Sequence, residues 1–491
     1  VIVLRFRKAL LAASILTVCA LVSAACGQKA NVHLSSASGP AGSSGSDGLG
    51  GSGTGTDTGA GTANDGGSTA TGVGTTSGGG TTSGSGTSSS GGTTSAGGGT
   101  SASGGTTSGG TTSGGTSGGG PTAAGDSTGV SGDTITIGIH APASGAGAPA
   151  ASFYKYKQAY FDAIGKTING RHVNVEFADD GYNPSQAVQA CKSLVQDKKV
   201  FLLVGGGGVD QIVECAKYAA SVGVPYLAEG VTEQGLGRLP NYFAESMTYP
   251  AQGKLLASYI KNVTGKTKWA MIRANTGNFD DAHTAFASAA NAAGLTKVYD
   301  NAVPKDADNS VMQTEARNFC TAAGGDASSV ALYPLMAPKL FIAFANFAAS
   351  QGCFPRYAGI GITLGLNVVA QTVCPNNAFK SGATFFSPFQ GLDAADAAFT
   401  NGPGKNADAD DIAYGLWAAE KLVGEQLRAG GRNLTRQSFI QGVINQKVFD
   451  VGTYPKVDFA GGRFGGTAVH VLEADCPNQK YKTQSVNRSS F

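Results

Sequence analysis

The residues best suited to chemistry in this 491-residue chain sit where short apolar runs end. Phe201-Leu202-Leu203-Val204 runs into four glycines, Gly205 to Gly208, and then into Val209-Asp210. A strand that turns through glycines into a helix aims free backbone N–H groups beyond the strand end, and such a start favours an anion. Asp210 lies in the first turn, where its own charge answers that positive end. His140 ends another apolar run, and Tyr249, Phe279 and Tyr333 also stand at run ends, where a ring can line a small-molecule cleft or pack as core. Glu229 has the same choice between cleft and rim. Asp179-Asp180 are placed for a paired-carboxylate site, but acids at a strand end before Asn183 are expected to cap a turn.

Catalytic patterns fail one by one. Gly265-Lys266-Thr267 has Ile260 where a phosphate loop needs its first glycine, and it precedes a strand instead of following one. Gly115-Thr116-Ser117-Gly118-Gly119 matches a hydrolase elbow only by composition, with no strand or helix around it. Five histidines include no H-x-x-x-H pair, and no cysteines form C-x-x-C, so neither a metal site nor a cofactor is expected. The chain is therefore read as a non-enzyme.

The elements that position these residues begin late in the chain. Arg5, Arg7 and Lys8 precede an apolar run, Ala9 to Val22, that ends in Ser23-Ala24-Ala25-Cys26. This pattern reads as an export signal over 1–25. Its small-small-Cys ending resembles a bacterial lipobox, which implies that Cys26 is lipidated; Ser23 stands where Leu is usual, and a plain secretory cut after Ala25 is the alternative. Residues 26–130 form a linker in which Ser35 to Gly129 is almost wholly Gly, Ser and Thr. Such a composition buries too little apolar surface to offset ordering entropy, so the linker is expected to be disordered. As a flexible coil of roughly a hundred residues it would span about 55 Å.

The remainder, from Asp133, is long enough for two lobes. The whole chain carries a net charge of +2, and the leader's three basic residues leave the rest near −1, with no basic stripe for nucleic acid. Six cysteines follow the leader and Cys26, an even number that in an exported protein suggests disulfides, with fifteen pairings open. Chain order favours Cys191–Cys215, Cys320–Cys353 and Cys374–Cys476, because the first two pairs would join consecutive βα units.

Short apolar runs alternate with helical patterns. Strands are expected at 135–139, 173–177, 201–204, 224–227, 269–272, 297–303, 330–333, 383–386 and 468–472. Helices are expected at 152–164, from Asn183 onward, and at 210–222, 279–293, 310–323, 408–428 and 435–445. Asn183-Pro184 is a capping residue followed by proline at the first helical position. Trp269 and Trp417 fall on core patterns. Repeated βαβ units imply right-handed parallel sheets, here two doubly wound lobes of the Rossmann-like α/β class. No complete third lobe follows Ser387, so the last segments are expected to finish the first two. The expected boundaries are 131–248 plus 388–465 for one lobe, 249–387 plus 466–480 for the other, and a tail over 481–491.

Two stretches carry a family resemblance. Phe201 to Thr232, together with Asp179-Asp180-Gly181-Tyr182-Asn183-Pro184-Ser185-Gln186-Ala187, resembles the extracytoplasmic substrate-binding proteins of ABC importers, nearest the branched-chain amino-acid, amide and urea group. The resemblance implies the type I periplasmic-binding fold, two α/β lobes joined by three crossovers and closing over a small solute. It also implies contacts. Val209 falls where amino-acid binders keep a Ser for the ligand carboxylate, and Gly230-Val231-Thr232 matches the family's small-small-Thr loop, so Gly230 and Thr232 are expected in the site. The acid that normally meets a ligand amine is missing near Gly359-Ile360-Gly361-Ile362. The ligand set expected is thus Val209, Asp210, Gly230, Thr232, Tyr249, Phe279, Tyr333 and His140. The function expected is capture of an amino acid, amide or related solute by a lipid-anchored, extracytoplasmic monomer that delivers it to an ABC permease. The alternative is a tethered sensor of the same fold signalling to a membrane receptor.

Overall fold

The computed structural model describes residues 125–145, 151–228, 235–360 and 365–491. The export signal, Cys26 and nearly all of the linker lie outside them. Five strands make the first sheet: β1 (Thr134–Ala141), β2 (His172–Asp179), β3 (Leu203–Gly205), β4 (Tyr226–Ala228) and β5 (Tyr242–Ala244). They run parallel in the order β2-β1-β3-β4-β5, so the order reverses between β1 and β3. The chain then builds a second sheet from β6 (Lys268–Ala274), β7 (Thr296–Val303), β8 (Val330–Leu335), β9 (Arg356–Gly359) and β10 (Ala383–Ser387). A short hairpin, β11 (Val448–Phe449) with β12 (Val457–Asp458), precedes β13 (Val469–Asp475) and β14 (Lys480–Arg488). The second sheet is ordered β14-β13-β10-β9-β8-β6-β7; its first five strands in chain order repeat the order of the first sheet, β13 adds antiparallel to β10, and β14 adds antiparallel to β13. All six residues of β8 are buried, as a strand covered on both faces requires. The molecule has two doubly wound lobes, and the chain passes between the sheets three times: after β5, after β10 and before β13.

Helices form where their caps predict. Asn183 Oδ1 accepts from the backbone N–H groups of Ser185 and Gln186 at 2.9 and 3.1 Å, and Pro184 starts the helix Pro184–Gln196. The helix expected over 152–164 is instead two, Ala151–Tyr156 and Ala159–Ile164. Between them Gln158 turns its side chain to β2, accepting from Val175 N at 2.7 Å, and Glu420 Oε2 receives the freed N–H of Tyr160 at 2.8 Å. The late segments return to the earlier lobes. The helix Asp411–Ala429 covers the first sheet, with Trp417 edge-on to Tyr160 at 5.2 Å. In the second lobe β13 sits between β10 and β14. The stretch expected as a tail, 481–491, is for the most part strand β14, anchored by fully buried Tyr481. Apart from Val486 its exposed residues are polar or basic, which hides the pairing. The helices Tyr249–Asn262, Pro338–Ser350 and Leu366–Val373, and the strands β5 and β9, were also not anticipated.

Disulfides join Cys191 to Cys215, Cys320 to Cys353 and Cys374 to Cys476, the pairing expected from chain order. The first staples the helix Pro184–Gln196 to the helix Val209–Ser221. Among the described residues no helix is long and apolar enough to cross a membrane.

Candidate functional site

The strand ends of the two lobes meet at Asp210. The helix Val209–Ser221 begins after Gly208, whose φ of 76° lies in the left-handed region and which contributes no side-chain cap. Asp210 leaves the first turn toward the other lobe. Its Oδ1 accepts from Thr276 Oγ1 at 2.6 Å and Asn278 Nδ2 at 2.7 Å, both just beyond β6. Its Oδ2 accepts from Lys305 Nζ at 2.8 Å, just beyond β7. Lys305 reaches further into the first lobe, donating to Gln211 Oε1 at 3.2 Å and lying 4.2 Å over the Tyr182 ring. Burial alone would raise the Asp210 carboxyl, but the bonds from Lys305, Thr276 and Asn278 outweigh it and hold it below the usual carboxylate range. A groove between Pro184, Ser185 and Glu214 on one side and Thr276 and Asn278 on the other runs along this seam. A second carboxyl crosses between lobes elsewhere. Asp411 Oδ2, at the start of the first-lobe helix, accepts from Asn367 N of the second lobe at 3.3 Å. Burial, with Asp410 beside it, pushes the Asp411 carboxyl up to about 7.

The structure sorts the expected contacts. His140 is fully buried, its Nδ1 2.9 Å from Asp180 Oδ2 and its Nε2 2.6 Å from the Tyr226 hydroxyl, so both ring nitrogens are engaged and it is a core residue, not a ligand contact. Val209 packs in the apolar core of its helix and sheet. Tyr333 lies inside β8, because the strand continues to Leu335; it has no exposed surface and packs edge-on to Phe286 at 5.1 Å. These three therefore depart from the expected ligand set. Tyr249 and Phe279 do come together, with ring centroids 6.1 Å apart, where the first crossover meets the end of β6. Asp210 is in place but engaged across the cleft. Gly230, Thr232 and Glu229 lie outside the described residues, as do Gly361 and Ile362. Asp179 accepts from the N–H groups of Ala143, Ser144 and Gly181, and Asp180 from that of Tyr182, so this pair caps loops. Among the described residues the one His/Cys/carboxylate group at ligand spacing is His140 with Cys191 and Cys215, and its sulfurs are joined in a disulfide.

A family model described as periplasmic binding protein matches residues 134–479. The chain belongs to that family. This periplasmic binding protein is 32% identical over 196 residues to the Leu/Ile/Val-binding protein homolog 3 of Brucella melitensis biotype 1, a match covering 38% of this chain and 51% of the relative. The chain thus spans about half the length of that curated relative. Among solved structures it resembles a solute binding protein of an ABC transporter from R. palustris in complex with benzoate, at 16% identity and a TM-score of 0.59 over 73% of this chain and 96% of the other. It also resembles the branched-chain amino acid transporter substrate binding protein LivJ of Streptococcus pneumoniae in complex with isoleucine, at 17% identity and a TM-score of 0.57 over 72% and 100%. At these identities the likeness is one of fold.

Several residues of the binding protein's cleft escaped sequence reasoning. Thr276, Asn278 and Lys305 all stand just past strand ends, a signal that was available. What was absent was any indication that three residues 66 to 95 positions from Asp210 converge on it. Gln211 carried a clearer sign. It is the third helical residue after Gly208, where a Gln commonly folds back over the helix start.

Proposed function

We propose that this chain is the extracytoplasmic solute-binding component of an ABC importer, capturing an amino acid, amide or related small molecule between its lobes. The observation that carries the reading is the bond set of Asp210 with Thr276, Asn278 and Lys305, which can exist only while the lobes are closed. Closure of two lobes about chain crossings is the movement by which such a protein presents a captured solute to a membrane partner. The lobes divide at 248/249, 387/388 and 465/466, with the second extended through β14. Cys26 carries the lipid, and residues 26–124 let the lobes range over tens of ångströms while keeping them near the permease at raised effective concentration. The end of the expected linker is instead docked on the first lobe, through Asp126 with Arg436 and Val130 with Ile135. The protein acts as a monomer and needs no cofactor, and ATP hydrolysis belongs to its partner.

A thermal-shift screen of the full chain against amino acids, amides, urea, polyols and aromatic acids tests the reading. A solute at a hundred times its dissociation constant adds about 2.7 kcal/mol. Absence of stabilisation by every class would refute it. Membrane partitioning of the wild type and of Cys26→Ser tests the anchor: release of the variant alone is expected, and equal partitioning would dismiss it.

A further inference from the structure

We propose that Gln211 is the first lobe's hydrogen-bond donor to the solute, and that the group it receives is an uncharged acceptor, a carboxamide or carbonyl oxygen. The inference rests on the solute-binding reading and narrows its substrate class. Gln211 has no exposed surface. Its Oε1 accepts from Lys305 Nζ at 3.2 Å, and because an ammonium only donates, that contact fixes which carboxamide atom is oxygen. The other atom, Nε2, is buried with no hydrogen-bond partner. A buried N–H without an acceptor is a standing cost that a solute oxygen removes.

Position puts this donor at the mouth of the helix. The carboxamide lies folded over Gly208, so that a Cβ there would come 2.5 Å from Oε1 and 3.0 Å from Nε2. Glycine is thus required twice, for its φ and for the space the carboxamide occupies. No side chain caps this helix start, whose N–H groups face the same strand-end crevice where open α/β sheets bind ligands. The grip of Lys305 comes from the other lobe, so the donor is oriented when the cleft closes.

Charge decides the class. A carboxylate taken out of water needs a cation to meet it. Lys305 is the cation at this wall, and it is already paired with Asp210 at 2.8 Å. Asp210 also stands in the first turn of the helix, so the positive helix end is already answered by a side chain and the Asp210–Lys305 pair offers no net cation to a second anion. What remains is dipolar: one carboxamide N–H and the uncapped backbone N–H groups. Dipolar donors hold a neutral acceptor without the desolvation cost of a buried ion.

The test uses the full chain and two pairs of probes that differ only in carboxylate against carboxamide, leucine with leucinamide and benzoate with benzamide. Binding is read by titration calorimetry for the wild type and for Gln211→Met, a near-isosteric change that removes the Nε2 donor together with the Oε1 that accepts from Lys305. The fall is therefore read relative to the carboxylate twin, which loses only the Lys305 contact. Gln211→Leu serves as a second variant, and far-UV circular dichroism verifies that both fold. The expected result is that a carboxamide binds more tightly than its carboxylate twin and that both variants weaken it about tenfold. Preference for the carboxylate, or carboxamide affinity within twofold of wild type in the folded variants, overturns the inference. So does a protein that is stabilised by other solutes but by neither carboxamide, a result that leaves the solute-binding reading standing. Silence toward every solute class overturns that reading itself.

Discussion

Replacing Asp210 with alanine removes three hydrogen bonds between the lobes at once and strands the ammonium of Lys305 against the Tyr182 ring. Breaking a buried charge pair from one side costs about 3–5 kcal/mol. Here the side chains of Lys305 and Asp210 keep 21% and 12% of their surface, so water recovers part of the loss and about 2–3 kcal/mol is the better figure. That is roughly a 30- to 150-fold shift of the closed–open ratio toward open. If the solute-free protein is mostly open, the whole factor appears as weaker solute affinity; if it is mostly closed, part appears as an expanded solute-free particle. Small-angle X-ray scattering with and without solute, together with calorimetry, separates the two. Asp210→Asn should fall between, since it can still accept from Thr276 and Asn278 but loses the charge facing Lys305. A pH series adds a check of sign. The carboxyl is depressed in the folded state, so its contribution is present above the usual Asp range and is lost only as pH falls below it. The Asp210 contribution to closure should therefore be flat from pH 5 to 8, and any slope there belongs to Asp411. An Asp210→Ala protein with wild-type affinity and an unchanged scattering curve would refute the clasp.

Tyr226→Phe leaves His140 Nε2 without its 2.6 Å partner and should cost about 1–3 kcal/mol in urea unfolding. Solute affinity should not move, and a loss of binding at unchanged stability would return His140 to the cleft. Asp411 titrates in the opposite sense to Asp210: its folded value, raised from 3.8 to about 7, makes stability greatest at low pH and progressively lost as pH rises to about 7. Asp411→Asn should flatten that slope and stabilise the protein above pH 7 by up to about 4 kcal/mol in calorimetric melts, while an unchanged slope would contradict the burial argument. Cys374→Ser with Cys476→Ser opens a loop of 102 residues and should cost about 4.7 kcal/mol, against about 3.4 for opening the 24-residue separation of Cys191 and Cys215. Equal losses in denaturant melts would show that chain entropy is not the controlling term.

Periodicity made much of the framework legible. The apolar run at Phe201–Val204 and the cap at Asn183-Pro184 sit at β3 and at the start of the helix Pro184–Gln196, because burial on both faces and a first-turn proline leave marks in consecutive residues. The edges were harder. β14 has a largely exposed face carrying only basic charges and is defined by its pairing with β13, which no local pattern encodes. The site was least legible, for the same reason. His140 and Tyr333 look like strand-end residues in a linear reading, yet one is held between Asp180 and Tyr226 and the other lies within a longer strand. Strand-end position alone does not say which way a side chain points. The clasp on Asp210 depends on where two lobes meet, which is a property of tertiary structure.

The return of the last segments also sets a timetable for synthesis. A chain made from the N-terminus places β1 to β5 early, but the helix that covers their sheet is Asp411–Ala429, and the second sheet waits for β13 and β14. Neither apolar core can close until all but the last tens of residues have been made, so both lobes mature almost together at the end of translation. Until then the chain has no finished domain to jam a narrow passage. For a protein bound for the far side of a membrane, late folding keeps the polypeptide threadable for as long as threading is needed.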